Sequence, residues 1–329
     1  MRPQFLLNFS THERDLSLFS HDWSRVREFV EMEGFDGIEL YPVATPRVES
    51  IPEGLVKGVH LRFFIMLRPI WTEDVEALKE TFGSLEDAKR FYGGEGVKAI
   101  IKTYRRQLDL AQALGASYVV YHPTDVALEN VFDWAMDYSW EDTIRMCCEI
   151  IQEAVSKSSF TGYILFENLW WPGGFTLESL EEYEFIRENM SYERCGIVLD
   201  TGHLLLQGGG FDMEKDAISY LLKRASELSE IRASIIATHL TCTLSGEYVR
   251  RTRGQKGLRP RGETFWERLA HARTHVLKLD RHDPFTDGAI KGFLKSIDPK
   301  YVIFEFRYKD MAMWRQKILS QKNALKGFM

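Results

Sequence analysis

Eight short, almost wholly apolar runs recur along this chain, and most are followed by a longer stretch with helical periodicity. The runs are FLLNFS (5–10), GIELYP (37–42), VKGVHLRFF (56–64), SYVVYHP (117–123), GYILFENL (162–169), CGIVLDTGH (195–203), SIIATHLTCT (234–243) and YVIFEFR (301–307). Strands that are apolar throughout must be covered on both faces, which is the condition of a parallel sheet. Between them, WSRVREFVEMEGF (23–35), VKAIIKTYRRQLDLAQALG (97–115), WEDTIRMCCEIIQEAVSKS (140–158), LESLEEYEFIRENM (177–190), KDAISYLLKRASELSEI (215–231) and AIKGFLKSI (289–297) predict helices. Strands alternating with helices build parallel β/α units, and eight of them predict one closed (β/α)8 TIM barrel over residues 1–329. Gly34 and Gly115 stand just after predicted helices, where a left-handed cap is needed.

Bulk properties narrow the partners. The net charge of −6 gives no global pull toward nucleic acid, although it leaves room for a local basic patch. No apolar run approaches the ~20 residues of a membrane span, and MRPQFLLNFSTHERD is too short in apolar residues for a signal peptide. The expectation is a cytoplasmic protein with no membrane partner. The four cysteines, at 147, 148, 195 and 242, lack C-x-x-C spacing, so neither a zinc ribbon nor a disulfide framework is expected.

Two connections are long. One spans roughly 65–96 after the third strand. The other spans 243–280 after the seventh and carries six Lys/Arg between Arg250 and Arg261. In a barrel both fall on the C-terminal face, where sites are built. The basic run reads as a solvated loop, a phosphate clamp, a lid or an oligomer contact.

Polar residues fall at the same face. His60 lies in the third run and His122 in the fourth. Glu167 is in the fifth run, Asp200 and His203 in the sixth, His239 in the seventh and Glu305 in the eighth. Asp280 and His282 come from LDRHDPFTDG, before the last strand. A lone strand-end histidine is more often a hydrogen-bonded core residue, but nine such residues on consecutive strand ends predict a metal site. Histidines and carboxylates without cysteine suit Zn²⁺, Mn²⁺, Co²⁺ or Fe²⁺. Glu39, in GIELY, faces either the same rim or an arginine. His12, His21, His271 and His275 read as surface or structural residues.

The segments ENL (167–169), LDTGH (199–203), HL (239–240), DRH (280–282) and YHP (121–123) resemble the xylose isomerase-like TIM-barrel superfamily over nearly the whole chain. That group includes sugar and sugar-phosphate isomerases and epimerases, and the endonuclease IV enzymes. The resemblance implies that His60, His122, Glu167, Asp200, His203, His239, Asp280, His282 and Glu305 match the nine ligands of the endonuclease's three-zinc site. In the isomerase branch it implies mainly one ion, held by Glu167, Asp200, His239 and Glu305. Glu167 and Glu305 would then remove and return a proton next to a carbonyl of a sugar or sugar phosphate. In the endonuclease branch the partner would be DNA with an abasic site, contacted by basic rim loops.

The chain departs from both patterns, because Cys242 stands where endonuclease IV and many isomerases have an Asp. It departs from the endonuclease further: the first strand lacks a basic segment, Trp170 and Trp171 replace small polar residues, and the loop between His239 and Asp280 is longer. The tryptophans suit stacking on a sugar face, or packing. Arg250, Arg251 and Arg253 are candidate substrate contacts. The expectation is thus a divalent-metal-dependent isomerase or epimerase (one to three Zn or Mn ions, with a homo-oligomer as one option), and abasic-site cleavage as the alternative.

Overall fold

The computed structural model describes residues 2–255 and 257–329, so Lys256 of the basic run lies outside the described residues. The eight strands are β1 (Gln4–Ser10), β2 (Gly37–Tyr41), β3 (Val56–His60), β4 (Tyr118–Tyr121), β5 (Tyr163–Glu167), β6 (Cys195–Asp200), β7 (Ile235–His239) and β8 (Tyr301–Phe304). Each pairs in parallel with the next, and β1 pairs with β8, which closes a single (β/α)8 barrel. Closure removes both sheet edges, so no backbone ladder is left unpaired.

The strands are shorter than the apolar runs that predict them. The third run continues to residue 64, but pairing stops at His60, and the seventh stops at His239 rather than 243. Past those points the chain turns outward to carry side chains over the barrel mouth. The interior is filled by Leu6, Tyr118, Val120, Leu165, Val198, Ala237, Tyr301 and Ile303. A larger shell packs between the strands and the surrounding helices. Gly58 on β3 makes room for one interior ring, because a Cβ there would lie 2.2 Å from the Tyr118 ring.

The predicted helices form, with capped starts. Asp22, Ser139 and Asp310 accept backbone N–H groups at the starts of helices Trp23–Met32, Trp140–Ser156 and Met311–Ala324. Gly34 and Gly115 take left-handed φ values of 76° and 68° just beyond their helices.

Both long connections contain helices that the predicted loops lacked. The first holds Leu67–Trp71, Val75–Phe82 and Leu85–Tyr92. The second holds Gly246–Thr252 and Phe265–Leu279. The latter opens on a capping box in which Thr264 and Glu267 satisfy each other's backbone N–H. The two insertions grip each other above the mouth. Phe265 packs on Phe82 and Phe91 at 4.6 and 5.5 Å. The Trp266 indole donates to Asp87 at 2.7 Å, and Arg268 donates to the Thr81 carbonyl at 2.8 Å. No helix among the described residues is long and apolar enough to cross a membrane.

Candidate metal centre

The strand polarity of the barrel brings all nine polar residues singled out in the sequence to one end. They fall into three groups whose ligand atoms lie within 4.8 Å of one another: His60, His122 and Glu167; His203, Asp280 and His282; and Glu167, Asp200, His239 and Glu305. Glu167 belongs to two of the groups. Its carboxylate stands 3.0 Å from His122 Nε2, 3.5 Å from His60 Nε2 and 3.4 Å from His239 Nδ1.

Local structure aims each side chain. Asp200 caps helix Thr201–Gln207 by accepting the His203 N–H at 2.8 Å, so the D-x-x-H spacing turns both side chains to one point. Asn168 pins β5 to β6: its amide donates to the Asp200 carbonyl at 3.1 Å and its oxygen accepts the Asp200 N–H at 2.8 Å. The 280–283 segment is fixed to the chain beyond β7 by an antiparallel bridge between Cys242 and Asp283, with N–H···O distances of 2.7 and 3.1 Å. Position 242 therefore acts here through its backbone. The bridge and Lys317, which donates to Asp283 and to the His282 carbonyl, hold His282 at a left-handed φ of 51°.

The imidazoles are oriented from behind. His203 Nδ1 donates to the Asn168 carbonyl at 2.8 Å, His282 Nδ1 to the Glu305 carbonyl at 2.9 Å and His60 Nδ1 to the Leu61 carbonyl at 3.1 Å. Each leaves Nε2 facing the cluster. His239 is reversed. Its Nε2 lies 3.0 Å from Glu39 and its Nδ1 lies 2.9 Å from Glu305. Glu39 also accepts the Tyr118 hydroxyl at 2.8 Å. Of the two sequence readings for Glu39, the inward one describes its position. Outer partners of this kind fix tautomer and direction in metal sites.

Crowded carboxylates control the charge. Burial disfavours ionised Glu167, yet the His122 and His239 imidazoles hold its carboxyl well below the usual range. Desolvation also opposes the charge on Glu305, which is only partly buried, yet His239 and His282 draw it down to about 2. Burial opposes the charged imidazoles too, but Asp200 and Asp280 raise His203 to about 10, and Asp280 and Glu305 raise His282 to about 9. Burial lifts Asp200 to about 6. The cluster thus demands positive charge at its centre. Asp200 Oδ2 is buried without a hydrogen-bond partner, and Glu167 Oε2 and His239 Nδ1 face His122 and Glu305 at 3.0 and 2.9 Å without a well-aligned hydrogen bond, a costly state that a bound cation relieves. Nitrogen and oxygen donors without thiolate fit divalent ions of the zinc and manganese type.

A cavity of about 540 Å³ lies against the cluster. Tyr41 in its wall packs on His60 at 5.4 Å, Phe63 on His122 at 4.7 Å, and Arg307 reaches Asp280 at 3.4 Å. Trp171 lines this cavity, while Trp170 packs between Trp171 and His203 at 4.2 and 4.9 Å. Both indoles are 3% exposed. The candidate arginines sit elsewhere. Arg250 pairs with Asp212, Arg251 lies over Tyr248 and Arg253 over Trp134, and none of them lines the cavity.

The wall residues Leu269, Ala272, Val276 and Leu277 come from helix Phe265–Leu279 and were not among the sequence candidates. Their signal was legible: T-x-x-E opens the segment, and apolar residues follow at helical spacing.

No curated protein matches the chain. Solved structures do. Endonuclease IV from Thermus thermophilus superposes with a TM-score of 0.51 at 14% identity, covering 98% of this chain and 99% of that one. A 3-keto-D-glucoside 4-epimerase from E. coli gives 0.54 at 14% identity, with 98% and 99% coverage. An L-ribulose 3-epimerase gives 0.50 at 11% identity, with 98% and 92% coverage. At these identities the likeness is one of fold. The family model of the xylose isomerase-like TIM barrel matches residues 26–323, and with the closed barrel and its rim of His, Asp and Glu this places the chain in that family.

Proposed function

We propose that this protein is a divalent-metal-dependent isomerase or epimerase acting on a sugar-like substrate by proton transfer next to a carbonyl. The observation that carries this reading is the roofed mouth. Helices Val75–Phe82, Leu85–Tyr92 and Phe265–Leu279 meet over the ligand cluster and leave an aromatic-walled cavity sized for a small molecule. Neighbours of the same fold include epimerases of sugar substrates.

Glu167, Asp200, His239 and Glu305 would hold one ion, as their ligand atoms all lie within 4.8 Å of one another. When bound, the ion polarises the carbonyl and hydroxyl oxygens of the substrate and stabilises enediolate charge. Glu305, whose side chain is 19% exposed against 2% for Glu167, is the carboxylate better placed to take a proton from substrate. Glu167 lies deeper and would return one. Glu39 holds His239, and Trp171 packs in the cavity wall beside the cluster.

The test is deuterium exchange. The zinc- or manganese-loaded protein, incubated with a panel of ketoses in heavy water, should introduce deuterium next to the carbonyl, and Glu167→Gln should not. Absence of exchange across the panel counts against the reading.

A second reading, cleavage of DNA at abasic sites, draws support from the three ligand groups, two of which share Glu167. It predicts three zinc ions per chain and nicking of an abasic-site duplex. Under it, replacing Arg250, Arg251 and Arg253 should weaken DNA binding and flatten its salt dependence.

A further inference from the structure

The cavity beside the cluster has an unusual wall for a site that is to hold a bare sugar. Tyr41, Phe63, Phe91, Trp171, Leu269 and Leu277 supply much of it, and the only charged side chains among its described residues are Arg273 and Arg307. Arg307 is already engaged by the Asp280 carboxylate and by the Leu277 and Asp280 carbonyls. The polar groups carried by its described lining residues are the Tyr41 hydroxyl, the Trp171 indole N–H and the two guanidinium groups, in a wall whose other nine residues are all apolar, so most hydroxyls of a sugar placed there would lose their hydrogen bonds to water. A phosphate would meet one uncommitted guanidinium, where such groups are usually held by several donors. The donors and acceptors that a sugar needs lie at the cluster end instead. Leu277 is 53% exposed at the rim, so the apolar surface continues toward solvent.

We infer that the substrate is a glycoside or other sugar derivative that carries a ketone on its sugar and an apolar ring-sized substituent, whose sugar sits on the metal cluster and whose substituent fills the cavity under the two clasped insertions. The placement of the sugar end rests on the isomerase reading above. The apolar end rests on the cavity wall. Two sequence segments far apart, 63–91 and 269–277, supply much of that wall, and Phe265, Trp266 and Arg268 hold them together by locking onto the first insertion. Phe63 and Trp171 stand near-parallel in that wall, at 13° with centroids 6.5 Å apart.

The experiment is calorimetric titration of the zinc-loaded full chain with methyl glucoside, phenyl glucoside and a glucose monophosphate. Phenyl glucoside should bind about tenfold tighter than methyl glucoside or more, from the apolar area it buries. The monophosphate should bind no tighter than methyl glucoside. Leu277→Asp, at an exposed position, should remove most of the phenyl advantage, read as the ratio of the two glucoside affinities. Equal affinity for the two glucosides, tighter binding of the monophosphate, no binding of phenyl glucoside, or an advantage that survives Leu277→Asp would each overturn the inference. Deuterium exchange separates this from the function itself. Exchange without phenyl preference overturns only the substrate class, and phenyl preference without exchange on any ketose overturns only the isomerase reading.

Discussion

The two ends of the barrel are made by the same eight strands and differ in nearly everything else. The N-terminal end holds the larger cavity, about 770 Å³ against about 540 Å³, with Arg194, Arg232, Asp298 and Lys300 in its lining. Among the described residues it gathers none of the three candidate ligand groups. The C-terminal end has the smaller cavity, yet nine titratable side chains converge beside it. Volume is therefore a poor guide to chemistry here. In a parallel barrel the C-terminal ends of all strands lie at one rim, and long insertions can be hung there without disturbing the sheet.

The largest effect is expected where ligand groups overlap. Glu167→Gln should cut turnover by ~10³-fold or more, the scale of losing a group made for the transition state. It should also lower metal content by elemental mass spectrometry. Full activity in that variant would break the contrast between the ends outright.

Acid–base behaviour should separate them next. In the metal-free protein the folded state holds protons on His203 and His282 more tightly than the unfolded chain, with values moved from 6.5 to about 10 and about 9. The stability they contribute is fully present below pH 6.5 and is lost as pH rises through about 9 and 10. Tm of the metal-free protein should fall across that window. Zinc binds neutral imidazole, so saturation with zinc should suppress the fall. Parallel curves with and without zinc would count against metal binding at these histidines.

Glu39→Gln keeps the shape of the side chain and removes its charge behind His239. Zinc affinity, measured against a competing chelator, should fall by about 10–100-fold with the fold intact. Unchanged affinity would reduce Glu39 to a packing residue. Gly58→Ala tests the layer between the two ends, because the added methyl meets the Tyr118 ring that supports Glu39. A loss of about 1–3 kcal/mol in urea unfolding is expected. The smallest effect belongs to the N-terminal end, where Arg232→Ala should change stability by under ~0.5 kcal/mol and leave turnover alone. A large loss of turnover there would mean that the bigger cavity serves the reaction after all.

The eight strands and the helices between them were legible because a parallel barrel writes itself as apolar runs separated by amphipathic ones. The nine polar residues were legible for a related reason: a histidine or carboxylate at the end of such a run stands out against it. Helix Phe265–Leu279 was also written in the chain, through Thr264, Glu267 and its apolar spacing, but the neighbouring arginines draw the eye to a loop. Residue type alone left Glu39 open between a rim position and an arginine partner. Its meeting with His239 and Tyr118 depends on the register of β2, β4 and β7 around a closed ring, which no local pattern encodes.

The sequence by itself thus determined the barrel, the rim of metal-ligand types and their order along the chain, since each follows from periodicity and from the cost of polar groups in apolar strands. Only the tertiary structure decided which ligands share a point, which way each imidazole faces, and that two insertions close over the mouth. Those depend on contacts between residues far apart in the chain, such as Phe82 with Phe265, whose geometry exists only once the ring of strands has closed.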